Sequence, residues 1–157
     1  MNTLRNLLVG LCASALFAAP SAAQEVKTPY WASIRAGEVN MRAGPGEDYR
    51  IDWVYRRPQL PVKVVRMLDG WRLVEEPDGT RGWMLARFLT RQRSAFVKGK
   101  GLAEMRAKGE AGAKLLWQVE PGVVALLDEC EDGWCGVRVG ERAGFIRQDR
   151  LWGAGEL

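Results

Sequence analysis

The chain carries one pattern of residues twice, and this repeat limits what it can fold into more than any other feature. Asn-Met-Arg-Ala-Gly-Pro-Gly at residues 40–46 returns, degraded, as Glu-Met-Arg-Ala-Lys-Gly at residues 104–109. The following Asp-Gly-Trp and Gly-Trp-Met motifs also return, the second as Gly-Phe-Ile. The offset between copies drifts from 64 to 62, as expected when a unit of about sixty residues is duplicated and its loops change length. We therefore predict two small related units rather than one large domain.

The first residues have the features of an export signal. A basic start is followed by an apolar run at residues 7–19, which is shorter than the ~20 residues that a membrane helix needs. Small residues at positions 21–23 suit a signal peptidase, so we expect residues 1–23 to be removed after Ala23. The alternatives are an uncleaved anchor or, less favoured by the flanking residues, a lipoprotein anchor at Cys12. The mature chain is then expected to be periplasmic or secreted, without a membrane span.

Composition excludes most catalytic chemistry. The full sequence has no histidine, which removes Ser-His-Asp triads, Cys-His pairs and most zinc sites. The two serines of the mature chain, Ser33 and Ser94, have no base to activate them. No glycine-rich loop has the context of a phosphate-binding motif. The sequence therefore predicts a protein that is not an enzyme and that uses no metal and no cofactor.

Charged clusters have ordinary explanations. The carboxylates at residues 75–76 and 128–132 flank predicted turns, and neighbours along a strand point to opposite faces, so they are poor acid/base pairs. Arginines at residues 56–57 and 91–93 would suit nucleic acid, but export argues against that partner. The whole-chain charge of +4 is a mild excess that indicates no particular partner. We interpret these groups as solvated surface or as contacts to anionic wall polymer or lipid head groups.

Each repeat is expected to form several short strands separated by turns. The predicted strands are residues 31–34, 38–42, 51–55, 60–65, 71–74 and 81–84, then 101–105, 115–119, 123–127, 134–139 and 143–146. Helical turns at residues 85–89 and 148–151 close the units, and residues 90–94 join them. Five or six antiparallel strands of this length bury a core only by closing on themselves. We predict an all-β chain of two tandem small β-barrels, residues 24–90 and 91–157, packed against each other.

The motifs of the first repeat occur in a recognisable order. Val-Asn-Met-Arg-Ala-Gly-Pro-Gly at residues 39–46 is followed by Leu-Pro-Val at 60–62, Gly-Trp at 70–71 and Asp-Gly-Thr-Arg-Gly-Trp at 78–83. This pattern resembles the bacterial SH3-like (SH3b) domain family, over residues 30–153 of the chain. The tandem form, with its signal peptide and its cysteine pair, resembles a group of exported proteobacterial SH3-like proteins of undefined function. The resemblance implies a non-catalytic unit that binds cell-wall peptides or proteins.

The second repeat departs from the family pattern. Glu104 stands where asparagine is usual, Lys108 stands where Gly-Pro is usual, and Phe145 replaces tryptophan. We expect this repeat to keep the fold, and we expect any ligand site to belong mainly to the first repeat.

Aromatic residues are the best candidates for ligand contacts. The seven tryptophans all lie in the mature chain, at positions 31, 53, 71, 83, 117, 134 and 152. Position-matched aromatics in a duplicated barrel are mostly core or barrel-lip residues. Trp71 and Trp134 follow a tight turn, which places them near a sheet edge, and Tyr49 lies beside the Gly-Pro-Gly loop. These three are our candidates for an exposed binding lip, since SH3-type grooves hold extended peptides with such aromatics.

The two cysteines of the mature chain are predicted to form a disulfide across a hairpin. In Cys130-Glu-Asp-Gly-Trp-Cys135 the Asp-Gly pair favours a two-residue primed turn. Cys130 and Cys135 then form a non-hydrogen-bonded pair with Cα atoms about 4.5 Å apart, inside the range for a disulfide. A redox-catalytic role is the alternative, but the spacing lacks the two-residue gap and helix start that lower a thiol pKa.

The sequence therefore predicts a non-catalytic exported module that recognises an extended ligand. We expect this module to be a monomer. The ligand is either a peptidoglycan stem peptide or an envelope protein, and not nucleic acid. The alternative is a structural or assembly factor that holds an envelope protein complex together without binding the cell wall.

Overall fold

The computed structural model describes residues 27–157, in which all regular structure is strand or short 3₁₀ turn. The predicted signal peptide and its cleavage site after Ala23 lie outside the described residues. The predicted all-β class is confirmed. None of the helical segments among residues 27–157 has the length and apolar character that crossing a membrane requires.

Each repeat forms its own sheet of seven strands. The strands of the first are β1 (Tyr30–Ile34), β2 (Val39–Arg42), β3 (Ile51–Tyr55), β4 (Pro61–Leu68), β5 (Trp71–Glu75), β6 (Arg81–Leu85) and β7 (Leu89–Thr90). Those of the second are β8 (Ser94–Val97), β9 (Ala103–Arg106), β10 (Leu115–Val119), β11 (Val124–Glu131), β12 (Trp134–Val139), β13 (Arg142–Arg147) and β14 (Leu151–Trp152). The 3₁₀ turns Ala86–Phe88 and Gln148–Arg150 precede the last strand of each sheet.

The two sheets have the same topology. The first has the strand order β3-β2-β6-β5-β4-β1-β7, and the second has the order β10-β9-β13-β12-β11-β8-β14. The second order is the first with each strand number raised by seven, so the duplication seen in the sequence is also a duplication of fold. Each unit has its own buried hydrophobic cluster, as a small barrel requires.

A methionine–glycine contact explains two of the repeated motifs. A Cβ atom on Gly82 would lie 2.3 Å from Cγ of Met41, and one on Gly144 would lie 2.6 Å from Cγ of Met105. Both methionines are almost fully buried. The glycine of the Gly-Trp-Met or Gly-Phe-Ile motif therefore leaves room for the methionine of the opening motif. This contact explains why both motifs are kept in both repeats.

The sequence interpretation missed three short strands. It treated residues 90–94 as a connection and began the second unit's strands at residue 101, whereas β8 begins at Ser94 and pairs with β11 and β14. The two-residue strands β7 and β14 were expected to be parts of closing turns. Each unit thus has seven strands rather than five or six. The missed strands are too short to show a period-two pattern, and tertiary pairing alone defines them.

The two units are joined along a buried seam. The hydroxyl oxygens of Ser33 and Ser94 lie 2.5 Å apart, and Ser33 Oγ donates to the carbonyl oxygen of Gln92 at 2.7 Å. Both serines are buried. The serines that the sequence could not assign to catalysis therefore satisfy each other's polar groups where the units meet.

Candidate functional site

A rigid loop follows β2 in the first unit. The backbone N–H of Ala43 donates to the carbonyl oxygen of Arg50 at 3.0 Å and closes the loop. The Arg42 guanidinium then donates from Nη1 to the carbonyl oxygens of Glu47 at 2.8 Å and Tyr49 at 2.7 Å. Two charge-assisted hydrogen bonds to the backbone hold the loop in one conformation.

Tyr49 lies on top of this loop with its ring half in solvent. A Cβ atom on Gly44 would lie 2.3 Å from ring carbons of Tyr49, so the ring occupies space that only a glycine leaves free. The residue is nevertheless 51% exposed. The predicted candidate is therefore an exposed aromatic ring whose orientation is set by the loop beneath it.

The second unit keeps the loop and loses the ring. Ala107 N–H donates to the carbonyl oxygen of Lys114 at 2.9 Å, and Arg106 Nη1 donates to that of Ala113 at 2.6 Å. These bonds repeat those of the first unit at an offset of 64 residues. The loop geometry therefore does not need Gly-Pro. What the second unit lacks is the aromatic side chain, because Ala113 stands at the position of Tyr49.

Trp71 and Trp134 occupy matching positions after the β4–β5 and β11–β12 turns, and both are half-buried. Trp71 pairs across the sheet with Leu68 on one side and Leu85 on the other. Trp134 packs on its own unit's loop, where a Cβ atom on Gly109 would lie 3.1 Å from Cβ of Trp134. Tyr49 and Trp71 belong to the first unit and Trp134 to the second.

The two most exposed tryptophans, Trp53 and Trp117, are not among the residues that the sequence singled out for ligand contact. The sequence predicted that position-matched tryptophans are mostly core or barrel-lip residues. Trp53 is 60% exposed and Trp117 is 41% exposed. They lie on β3 and β10, the terminal strands of the two sheets. Period-two alternation places Trp53 on the same side as the buried Tyr55, but β3 is a terminal strand and has no further strand beside it to cover the ring. Burial at one end of the strand therefore did not extend to the other.

Two clefts open between the units. The first, the Trp53 cleft, has a volume of about 520 Å³ and is lined by Trp53, Val54, Tyr55, Arg56, Arg57, Leu60, Pro61, Val62, Glu76, Pro77, Phe96 and Gly122. The second, the Trp31 cleft, has a volume of about 560 Å³ and is lined by Trp31, Lys63, Glu75, Lys98, Gly133, Arg147, Gln148, Asp149, Leu151, Trp152, Gly153 and Gly155. The Trp53 cleft is the more apolar one, and the Trp31 cleft has charged walls.

The carboxylates near these clefts are held by neighbouring groups. Arg81 donates from Nε to Glu75 at 2.7 Å and Lys63 lies 3.3 Å from the same carboxylate, which lowers the pKa of Glu75. Burial, followed by a hydrogen bond to Glu76, raises the pKa of the Tyr55 hydroxyl well above its ordinary value. Residues 27–157 contain no cluster of three or more metal-ligating side chains that could hold an ion.

The predicted disulfide is present. Cys130 and Cys135 are bonded, with Cα atoms 4.0 Å apart, and they face each other in the β11–β12 register. The next pair inward is Glu131 with Trp134, around a turn whose central residues have φ values of 50° and 78°. Two left-handed residues in a two-residue loop are the mark of the predicted primed turn.

Comparison with known proteins agrees with the duplicated fold. The family model for the bacterial SH3 domain matches residues 35–89 and again residues 99–153. Two solved structures are similar to the chain, NlpC2 and NlpC1 from Trichomonas vaginalis, at 12% and 13% sequence identity with TM-scores of 0.35 and 0.36. The alignments cover 82% and 83% of this chain but 49% and 48% of those proteins, so the chain spans about half their length. No curated protein matches the chain significantly. The two tandem matches cover more than half of the sequence, and the chain belongs to the bacterial SH3 domain family.

Proposed function

We propose that this chain is a non-catalytic exported module that binds an extended ligand through the first SH3 unit. The observation that carries the proposal is the ring of Tyr49, half-exposed on a loop that Arg42 fixes. A ring and loop that are ordered before binding lose little conformational freedom when a ligand arrives. Such a group is suited to act as a binding anchor.

We propose Trp71, a half-buried aromatic of the same unit, as the second contact of this site. Together with Leu68 and Leu85 it forms a strip of apolar side chains across three neighbouring strands. Leu68 is itself exposed. An extended peptide can place alternate side chains on such a strip, as in other peptide-binding grooves.

The proposed location is the periplasm or the cell exterior. The signal-like N-terminus motivates this, and the disulfide between Cys130 and Cys135 supports an oxidising compartment. The proposed ligands are accordingly those of the envelope, a peptidoglycan stem peptide or an envelope protein.

A pull-down on purified sacculi tests the ligand class. Residues 24–157 are incubated with sacculi stripped of protein, and the bound fraction is measured at several salt concentrations. We expect binding that persists when salt screens non-specific attraction. No binding at any salt concentration would remove the cell-wall peptide from the proposal and leave an envelope protein.

One observation favours the second candidate, a factor that holds an envelope protein complex together. The exposed apolar side chains Ile51, Trp53, Leu115 and Trp117 lie on terminal strands of both units, where a protein partner could contact them. A single chain with two such surfaces could bridge partners. Ile51→Ser and Leu115→Ser would then weaken association with envelope proteins and leave sacculus binding unchanged.

A further inference from the structure

The two units treat one repeated tryptophan differently. Trp53 and Trp117 occupy matching positions, each opposite the methionine of its unit's opening motif. In the second unit the guanidinium carbon of Arg142 lies 4.5 Å from the centroid of the Trp117 ring. This distance is inside the range of about 6 Å for a cation–π interaction.

The first unit has the ring without the cation. At the offset of 62 that relates the last hairpins, Arg142 corresponds to Thr80. In the part of the chain that the structure describes, no arginine or lysine lies over the ring of Trp53. The exposure of Trp53 is correspondingly higher than that of Trp117, 60% against 41%. The second unit thus shows, within the same chain, that a tryptophan at this position can bind a guanidinium.

The walls of the Trp53 cleft suit the same kind of group. Pro61, Pro77 and Phe96 provide apolar surface that can cover the methylene stem of a long side chain. Glu76 supplies a carboxylate beside Tyr55, and within residues 27–157 it forms no ion pair. An aromatic face, an apolar wall and a carboxylate without an ion-pair partner among the described residues are together complementary to a cationic side chain.

The two arginines of the cleft are already engaged. Arg56 donates from Nε to the Glu38 carboxylate at 3.0 Å, so its charge is compensated. Arg57 donates from Nη1 to the carbonyl oxygen of Gly122 at 3.1 Å, across the seam between the units. Among the residues that line the cleft, Glu76 therefore supplies the negative charge, while Arg57 keeps its positive charge because a carbonyl oxygen does not neutralise a guanidinium.

We propose that the Trp53 cleft binds an arginine side chain of an extended partner polypeptide, with its guanidinium over the Trp53 ring and beside Glu76. The cleft volume of about 520 Å³ lies in the ordinary range for a ligand pocket. This site is separate from the Tyr49 site and does not depend on it.

The test is an NMR titration of residues 24–157 with the peptide N-acetyl-Gly-Arg-Gly-amide. The control ligand is the same peptide with citrulline, which keeps the shape of arginine without its charge. We expect the arginine peptide to shift the Trp53 indole N–H resonance, assigned by Trp53→Phe, and to bind between about twofold and about thirtyfold more tightly than the citrulline peptide. Equal binding of the two peptides, or no binding of the arginine peptide, would overturn the proposal.

Reciprocal variants test the same idea from inside the chain. Thr80→Arg should place a guanidinium over Trp53 and block the peptide, while Arg142→Ala should open Trp117 to it. Thr80 is exposed, and its backbone N–H donates to Oδ1 of Asp78 at 2.9 Å, a bond that arginine keeps. Unchanged peptide binding by folded Thr80→Arg protein would contradict the proposal, as would an Arg142→Ala variant in which Trp117 remains unresponsive.

Discussion

Trp31 and Trp152 meet edge to face across the seam between the two SH3 units, with ring centroids 4.8 Å apart and planes at 81°. Trp31 also donates from Nε1 to the carbonyl oxygen of Gly155 at 2.6 Å. The ring of Phe96 lies 5.7 Å from that of Trp152. Aromatic side chains from the first strand of each unit therefore contact the last strand of the chain, and the two barrels pack as one body.

Trp31→Ala should loosen this seam. We expect the free energy of unfolding to fall by about 3 kcal/mol, the lower end for removing a large aromatic ring, because Trp31 is only half-buried. Urea denaturation measures the loss, and trypsin should cut faster at the connecting arginines, Arg91 and Arg93. Trp117→Ala is the matched control, since its ring is more exposed and spans no seam. Equal stability and proteolysis of the two variants would contradict the role given to Trp31.

Gly153→Ala should also destabilise the seam. Gly153 has φ of 104°, and a Cβ atom there would lie 2.5 Å from the carbonyl oxygen of Ser94 and 3.1 Å from Cβ of Pro61. The backbone strain and the clash together should cost about 2 kcal/mol or more. Gly155→Ala is the control, because a Cβ atom there meets nothing within 4 Å. Thermal unfolding of both variants decides the matter, and a similar midpoint for the two would refute the argument.

The disulfide should stabilise its hairpin more than the whole fold. Cys130 and Cys135 are only 5 residues apart, so the chain-entropy model gives less than the ~3 kcal/mol of a 15-residue loop. The double variant Cys130→Ala/Cys135→Ala should therefore fold and keep the β11–β12 register. Intact mass after alkylation, with and without reductant, should show thiols only in the reduced sample. Two free thiols in exported protein, or an unfolded double variant, would contradict this account.

Glu75 should contribute to the loss of stability in acid. Its pKa lies below the ordinary 4.5 because Arg81 and then Lys63 favour the charged form. A carboxyl with a lowered folded pKa contributes stability that is complete above its unfolded pKa and is lost as pH falls through the folded value. The stability of Glu75→Gln should thus fall less steeply than that of the wild type below about pH 4.5. Parallel curves from urea unfolding between pH 7 and pH 3 would show that the ion pairs are unimportant.

Sequence patterns predicted the features that depend on local chemistry. The Asp-Gly turn between Cys130 and Cys135 specified the disulfide and its register, because loop length fixes which residues face each other. The strands at residues 51–55, 115–119 and 134–139 were placed at their observed bounds. The repeated motifs also indicated the family and the all-β class.

Features that depend on tertiary contacts could not be read in this way. The strand β8 has no alternation, and its pairing with β11 and β14 gives it its place in the sheet. Trp53 is exposed because β3 is the terminal strand of its sheet, and no local pattern encodes the order of the strands. The second unit has the same loop geometry as the first, and the sequence did not predict this. Backbone hydrogen bonds and Arg106, rather than Gly-Pro, hold that loop.

The most direct test of the proposed binding site compares three alanine variants on one ligand. Tyr49→Ala, Trp71→Ala and Trp134→Ala are titrated against the envelope ligand that the sacculus pull-down or an envelope-protein association assay identifies, with circular dichroism confirming that each is folded. We expect Tyr49→Ala and Trp71→Ala each to weaken binding by about tenfold or more, as for anchor residues, and Trp134→Ala to leave it nearly unchanged. Loss of binding in Trp134→Ala with full binding in the other two would contradict the assignment of the site to the first unit.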